Sequence, residues 1–433
     1  MDKKREMRKE NKDKKCLSCY KKFYFAEEIY NPESDPPPPF KWTYFSKETD
    51  TLPVVKYTIE TPTEIILPLN DENIEKGIIL FPSEAKEYGT EKELLIAIQG
   101  FIHKYVDVEE FFEKLSTYYV MLSYLYDCFD VVPYLRVIGD YGTGKTRFLK
   151  TVGSLCYKPI FCGGAVTPAP IFRFIELYHG TLIIDEADFR FSDGYQDVIK
   201  ILNMGYTAGT PVLRCEGEDN NPRGYDCFSP KIIANRNKFK DPALESRCIT
   251  YEMRERKRDV PINLPLEEFN KEALEIRNKL LLWRLRNYKK RKINSGLIIK
   301  GIEDRVNQIM IPLGSIIEDK EVQKEFQGFM LEYNQKLIED RGMTQEAEVF
   351  GIICECLKER NENPTIKEIT TKYSEKYETD HSVKRITPKK VGSIIRGSLK
   401  LKTERVREGY RLIADSEEME RLKKKYAFSS STP

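Results

Sequence analysis

Between residues 132 and 253, short apolar runs alternate with stretches whose apolar positions recur at helical spacing. Tyr134-Leu135-Arg136-Val137-Ile138, Lys158-Pro159-Ile160-Phe161-Cys162, Thr181-Leu182-Ile183-Ile184 and Lys231-Ile232-Ile233-Ala234 read as buried strands, and residues 147–152, 169–178 and 197–206 between them as helices. Such alternation predicts a parallel sheet covered on both faces. Residues 212–228 read as two strands around a polar Gly/Asn/Pro turn. Before the sheet, the β-branched alternation of residues 53–69 predicts a hairpin. Residues 91–105 and 108–126 predict two helices of a small domain packed onto the sheet, the second with Phe111, Phe112, Leu115, Tyr118, Tyr119, Leu122 and Leu125 at helical spacing. Residues 266–292 predict a long helix, and another starts at 304. Residues 346–357, 366–373 and 388–399 predict three helices of a separate domain, followed by strands 401–406 and 410–413 about a Glu408-Gly409 turn.

Composition narrows the picture. The chain has 433 residues, enough for two to four domains, and Lys+Arg number 71 against 69 Asp+Glu. Any nucleic-acid affinity must therefore come from local patches. No run approaches the roughly 18 to 20 apolar residues that span a bilayer, and no apolar segment follows the charged N-terminus, so we expect no membrane partner and a cytoplasmic protein. The ten cysteines are scattered, which suits reduced core thiols. Cys16 and Cys19 form half a zinc site with no matching pair nearby, and the default is an incidental or structural pair. Residues 1–50, lysine-rich and then broken by Pro36-Pro37-Pro38-Pro39, read as a solvated tail and linker.

Candidate chemistry begins at Gly139-Asp140-Tyr141-Gly142-Thr143-Gly144-Lys145-Thr146, which fits G-x-x-x-x-G-K-[ST] between a strand and a helix. In such a loop Gly139, Gly142, Thr143 and Gly144 let backbone N–H groups point into one concavity. Lys145 then reaches the β- and γ-phosphates of a nucleotide, and the Thr146 hydroxyl is placed for Mg²⁺. About 40 residues on, an apolar strand ends in Asp185-Glu186: Asp185 suits Mg²⁺, and Glu186 suits orienting and deprotonating an attacking water. Asn235 ends the next buried strand, where a group sensing the γ-phosphate would sit. Arg247 lies at the mouth of a strand, with two readings open: a surface ion pair, or an arginine finger reaching a neighbouring subunit's nucleotide.

With these residues the chain resembles the AAA+ ATPases, in the branch that includes superfamily-3 and minichromosome-maintenance helicases. The run Arg214-Cys215-Glu216-Gly217 through Pro222-Arg223, then Pro230-Lys231-Ile232-Ile233-Ala234 and Ser246-Arg247, looks most like ATPase domains of phage and plasmid primase-helicase proteins. The resemblance covers about residues 130–310. It implies ATP and Mg²⁺ held between subunits of a homo-oligomeric, usually hexameric, ring: Lys145, Thr146, Asp185, Glu186 and Asn235 in cis, Arg247 in trans. It also implies a hairpin that meets DNA in the pore, near Asn221 and Arg223. An Arg at the start of a lid helix touches the γ-phosphate in such proteins, and Arg305 matches that position, with an ordinary surface Arg as the alternative.

The last domain is similar to a winged helix-turn-helix. Around it Lys389, Lys390, Arg396, Arg405 and Arg407 outweigh Glu404 and Glu408, an electrostatic footprint for a phosphate backbone; protein contact is the other use of such a fold. The expected fold is α/β: a P-loop AAA+ parallel sheet with helical lid, a small N-terminal helical domain and a C-terminal winged helix-turn-helix. The expected segments are a tail and linker 1–50, an N-terminal domain 51–130, the ATPase core 131–256, the lid 257–340, the winged helix 341–415 and a tail 416–433. The expected function is a ring-shaped DNA motor, a replicative helicase or initiator of a mobile element, or alternatively an ATP-regulated loader without unwinding.

Overall fold

The structure, a computed structural model, describes residues 14–15, 18–21, 24–46, 49–60, 65–163, 167–185, 193–216, 221–288, 290–359, 362–377, 386–407, 409–426 and 428. The chain divides into two compact units, 1–326 and 327–433.

The centre of the first unit is a five-stranded sheet in the order Cys248–Glu252, Tyr134–Ile138, Lys231–Asn235, Leu182–Asp185, Ile160–Gly163. Every pairing in it is parallel. Strands buried on both faces need near-continuous apolar runs, and Tyr134, Leu135, Val137, Ile183, Ile184, Ile232 and Ile233 are almost wholly buried. Helix Lys145–Gly153 packs closely on the sheet, since a Cβ added at Gly153 would fall 2.3 Å from Ile183 Cδ1. Because all five strands run the same way, Ile138, Gly163, Asp185, Asn235 and Glu252 share one edge of the sheet. The residues that lead into the strands share the other.

The N-terminal segment differs from expectation. Ser18–Lys21, Tyr24–Tyr30, Phe40–Ser46 and Thr49–Lys56 form a four-stranded antiparallel sheet. The prolines that read as a linker lie in the connection between its second and third strands, a position where a residue without an N–H does no harm, and the Asn31 N–H donates to the Pro39 carbonyl at 2.9 Å to close it. Of the expected 53–69 hairpin, Ile59–Glu60 pairs with Ile65–Leu67, while residues 53–56 join the N-terminal sheet instead.

Charge hid this sheet from a reading by composition, because its partners are remote in sequence. Glu27 is buried, with Arg284 Nε donating at 2.8 Å, Tyr157 Oη at 2.8 Å and the Lys158 ammonium at 3.2 Å. Burial pushes its carboxyl up, but the charges of Lys158 and Arg284 outweigh that and hold it at about 2.

Helices Glu91–Tyr105, opened by a Thr90/Glu93 capping box, and Glu110–Leu125 pack on each other and on Leu266–Asn287, within the same unit as the parallel sheet. The division between units does not fall at the expected lid boundary of 340. It lies inside helix Lys320–Gly342. Phe326 is buried so tightly against Gly314 that a Cβ there would come 2.7 Å from its ring, which keeps the first turns of this helix with the first unit.

The second unit holds helices Gln345–Glu359, Ile366–Tyr377 and Pro388–Ser393, the last continued through Ile394–Ser398, then the hairpin Lys402–Val406 with Gly409–Ile413. Arg411 bridges Thr365, and the Leu412 N–H donates to the Pro364 carbonyl at 2.9 Å, tying the hairpin to the segment before the second helix. The expected tail at 416–433 instead opens with a helix, Ser416–Lys425. Asp415 caps it, and Met419 and Leu422 are buried in this unit's core at helical spacing. Among the described residues, no helix is long and apolar enough to cross a membrane.

Candidate nucleotide site

The strand Tyr134–Ile138 delivers the glycine loop to the edge formed by the strands' C-terminal ends. Gly139, Gly142 and Gly144 have φ of 152°, 77° and 91°, backbone that side chains other than hydrogen disfavour. At Gly139 the requirement is also spatial, because a Cβ would lie 2.8 Å from the Met253 carbonyl oxygen. Gly144 caps helix Lys145–Gly153, so that helix's first, internally unpaired N–H groups open beside the loop, where a helix terminus favours an anion.

Lys145 Nζ donates to the carbonyls of Gly139 and Asp140, both at 2.6 Å, and Thr143 Oγ1 donates to the Asp140 carbonyl at 2.9 Å. Thr146 Oγ1 donates to Asp185 Oδ2 at 2.7 Å across the sheet edge. Between them lies a cavity of about 280 Å³ lined by Gly142, Gly144, Lys145, Thr146, Asp185 and Asn235. Asn235 is only 3% exposed and pairs in register with Ile138, so the middle strand places it between the loop and Asp185. The parts fit a nucleotide and its cation: a loop whose glycines take backbone angles that side chains disfavour, a lysine held against that loop, and a hydroxyl and a carboxylate side by side as hard oxygen donors suited to Mg²⁺. Glu186 and Cys16 lie outside the described residues.

Sequence reasoning did not single out Tyr141, Arg236, Lys238 and Arg254. The Arg236 guanidinium stacks on the Tyr141 ring at 4.0 Å, and with Lys238 and Arg254 it lines a second, larger cavity of about 630 Å³ on the other side of the loop. Position immediately after the Asn235 strand end was the one signal for Arg236.

Arg247 and Arg305 are on the opposite edge. Cys248 pairs with Tyr134 and Glu252 with Ile138, so Arg247 precedes its strand by one residue and stands about 20 Å from its own loop at roughly 3.3 Å per residue. Its backbone is fixed from several directions. Asp241 caps the short helix Pro242–Glu245 through the Leu244 N–H at 2.7 Å, fully buried Arg136 donates from Nη1 to Glu245 at 2.6 Å, and the Tyr134 N–H donates to the Arg247 carbonyl at 3.0 Å. The Arg247 guanidinium lies over Tyr206 at 4.2 Å. Arg305, in the first turn of helix Asp304–Gly314, lies over the same ring at 5.4 Å, and its Nη1 donates to Tyr206 Oη at 3.0 Å. The structure thus joins Arg305 to Arg247 and not to the loop of its own chain.

The hairpin Val212–Glu216 with Asn221–Tyr225 is antiparallel, with Arg214 opposite Arg223 and Glu216 opposite Asn221. Asn221 and Arg223 are exposed; Arg223 pairs with Glu176 at 3.5 Å and lies over Tyr225 at 4.9 Å. Following the hairpin in the chain, Lys231 is fully buried and donates to the carbonyls of Gly205, Cys227 and Ser229 at 2.9, 3.1 and 2.9 Å. Burial pulls its ammonium down to about 7 against the opposing pull of Cys227 and Asp226. In the second unit Lys389, Lys390, Arg396, Arg405 and Arg407 are all exposed, and Arg396 lies over Tyr410 of the hairpin at 5.1 Å.

No family model matches the chain, and no curated protein does. Among solved structures it is similar to an active helicase, Cch of SCCmec type IV, at 11% identity over 74% of this chain and 64% of that one, with a TM-score of 0.37. The chain thus spans less than two thirds of that helicase's length. It is also similar to a full-length MCM homolog from Methanopyrus kandleri, at 10% identity over 68% and 74% with a TM-score of 0.37. A third is the NrS-1 C-terminal region, at 10% over 89% and 95% with a TM-score of 0.34. Likeness at this level carries no argument about function.

Proposed function

We propose that this chain is an ATPase whose site is completed between copies of itself, working as a DNA motor in replication. The observation that carries the reading is the separation of charges across one sheet. The glycine loop, Lys145, Thr146, Asp185 and Asn235 lie at one edge, and Arg247 and Arg305 at the other, out of reach of their own loop. A ring that sets one copy's far edge against the next copy's loop edge joins the two halves, and a heterologous contact of that kind gives a ring when its rotation closes.

In the mechanism, the loop amides, the helix N-terminus and Lys145 bind and orient the phosphates. Thr146 and Asp185 would hold Mg²⁺, which when bound neutralises charge on the phosphate oxygens. Glu186 takes a proton from water aligned behind the γ-phosphate, and Asn235 positions that water. Arg247, with Arg305, stabilises the charge that spreads over the transferred group. The exposed Asn221 and Arg223 of the hairpin meet single-stranded DNA in the pore. The second unit acts as a winged helix-turn-helix on duplex phosphates through Lys389, Lys390, Arg396, Arg405 and Arg407. The setting that suits such a combination is a helicase or initiator of a phage or plasmid.

The test is complementation. Lys145→Ala and Arg247→Ala proteins each lose phosphate release from Mg·ATP, and mixing them restores a fraction, because a ring can then pair an intact loop with an intact arginine. Failure of mixed, ring-forming protein to recover any turnover overturns the shared site. A fork-displacement assay separates the motor from a loader: ATP turnover in rings with no displaced strand favours loading. For the second unit, Lys389→Ala with Lys390→Ala should reduce the slope of log K against log salt by about 1 for each phosphate no longer neutralised.

A further inference from the structure

Tyr206 is held in place more firmly than a surface aromatic needs to be. Its carbonyl accepts from the Val132 N–H at 3.0 Å, Thr207 bridges Val131, and the Ala208 N–H donates to the Asp130 carbonyl at 2.9 Å, so the chain leading into the P-loop strand pins it on one side. On the other side the preceding Gly205 carbonyl accepts from buried Lys231 at 2.9 Å. No larger residue fits at Gly205, where a Cβ would fall 2.4 Å from the Cys227 carbonyl oxygen.

The ring carries two cations, Arg247 at 4.2 Å and Arg305 at 5.4 Å. Among the described residues neither guanidinium has a carboxylate partner. Arg247 donates to the Ala243 carbonyl and, among the described residues, keeps a buried Nε–H without an acceptor, and Arg305 donates to Tyr206 Oη at 3.0 Å and to Gln308 at 2.5 Å. Two like charges on one ring repel, and a carboxylate would relieve that while cancelling the charge. An aromatic face attracts guanidinium groups and leaves their charge intact. Donors fixed in this way need no reorganisation when an anion arrives.

We propose that Tyr206 is a positioning residue that holds Arg247 and Arg305 together as one preorganised pair for the polyphosphate of a neighbouring copy's nucleotide. This rests on the shared-site reading above. The face of the ring seats Arg247, the hydroxyl aims Arg305, and the Lys231 and Val132 contacts keep the post from moving.

The experiment uses the full chain and two substitutions. Tyr206→Leu removes ring and hydroxyl; Tyr206→Phe keeps the ring. Tyr206→Leu should lower kcat for Mg·ATP by on the order of 10-fold or more, as displaced catalytic groups do, with affinity for a fluorescent ATP analogue at its own loop unchanged. Mixing it with Lys145→Ala protein should restore turnover, which a general structural defect would not allow. Tyr206→Phe should give a smaller loss that disappears in an Arg305→Ala background, since the hydroxyl then has nothing to aim. Wild-type kcat in Tyr206→Leu overturns the proposal. So does a loss that follows a fall in Tm and is not complemented by Lys145→Ala. If instead Arg247→Ala itself retains full turnover, the shared site has failed, and that result is read independently of any Tyr206 variant.

Discussion

The two edges of the parallel sheet are built by different means. At the C-terminal edge, eight consecutive residues running from a strand's end into the first turn of a helix make most of the site, and Lys145 is held by two backbone carbonyls of that same loop. At the far edge, Arg247, Arg305 and Tyr206 come from three separate stretches, and a fourth, Lys231, supports them from below. A site made mainly by backbone must be contiguous, because only neighbouring residues can share one turn. A site made by side chains can be gathered from anywhere the fold brings together.

The largest expected effect breaks the first edge at its lysine. Lys145→Ala should reduce kcat by about 10² to 10³, the usual loss when one fixed donor is taken from developing charge, while far-UV circular dichroism stays unchanged. Retention of more than about a tenth of wild-type phosphate release would remove the loop from the chemistry.

A smaller effect separates two glycines of that loop. Gly139→Ala must force a Cβ to 2.8 Å from the Met253 carbonyl at φ 152°, whereas among the described residues nothing lies within 4 Å of a Cβ at Gly142, where φ 77° resists. The Gly142→Ala cost is then about 1 to 2 kcal/mol of backbone strain. Gly139→Ala adds a steric clash and should weaken ATP binding by a further factor of about 10, read by titration with a fluorescent analogue. Equal losses at both positions would show that strain alone governs the loop.

The same contrast explains what the sequence could tell. Four of the five parallel strands were legible because burial on both faces leaves near-continuous apolar runs such as Ile183-Ile184 and Ile232-Ile233. The loop, Asp185 and Asn235 were legible because each ends such a run. Arg305 was legible as the start of a helix but not as a neighbour of Arg247, since helical spacing carries no information on which edge of the sheet the helix caps. Tyr206 gave no signal; it closes an amphipathic pattern like any other tyrosine. The N-terminal sheet was missed for a related reason. Glu27 and Glu28 are buried, and the Arg284 and Lys158 charges beside Glu27 become neighbours only after folding.

The smallest expected effect tests the support beneath the far edge. Lys231 is buried among the Gly205, Cys227 and Ser229 carbonyls and beside the Tyr134 ring at 4.8 Å, and burial brings its ammonium from an ordinary 10.5 down to about 7. The folded state therefore binds fewer protons than the unfolded chain between about pH 7 and 10.5, so unfolding free energy rises with pH across that window. Below about pH 7 both states are protonated and the penalty of burying the charge is present in full. From pH 7 to about pH 8 the gain from this one group should be about 1 kcal/mol. Lys231→Met occupies similar space without a charge, so urea denaturation of wild type and variant across that range should differ in slope by that amount, whatever the variant does to absolute stability. Parallel curves would mean that the ammonium reaches water, in which case the anchor of Gly205, and with it the rigid seat of Tyr206, is looser than its hydrogen bonds indicate.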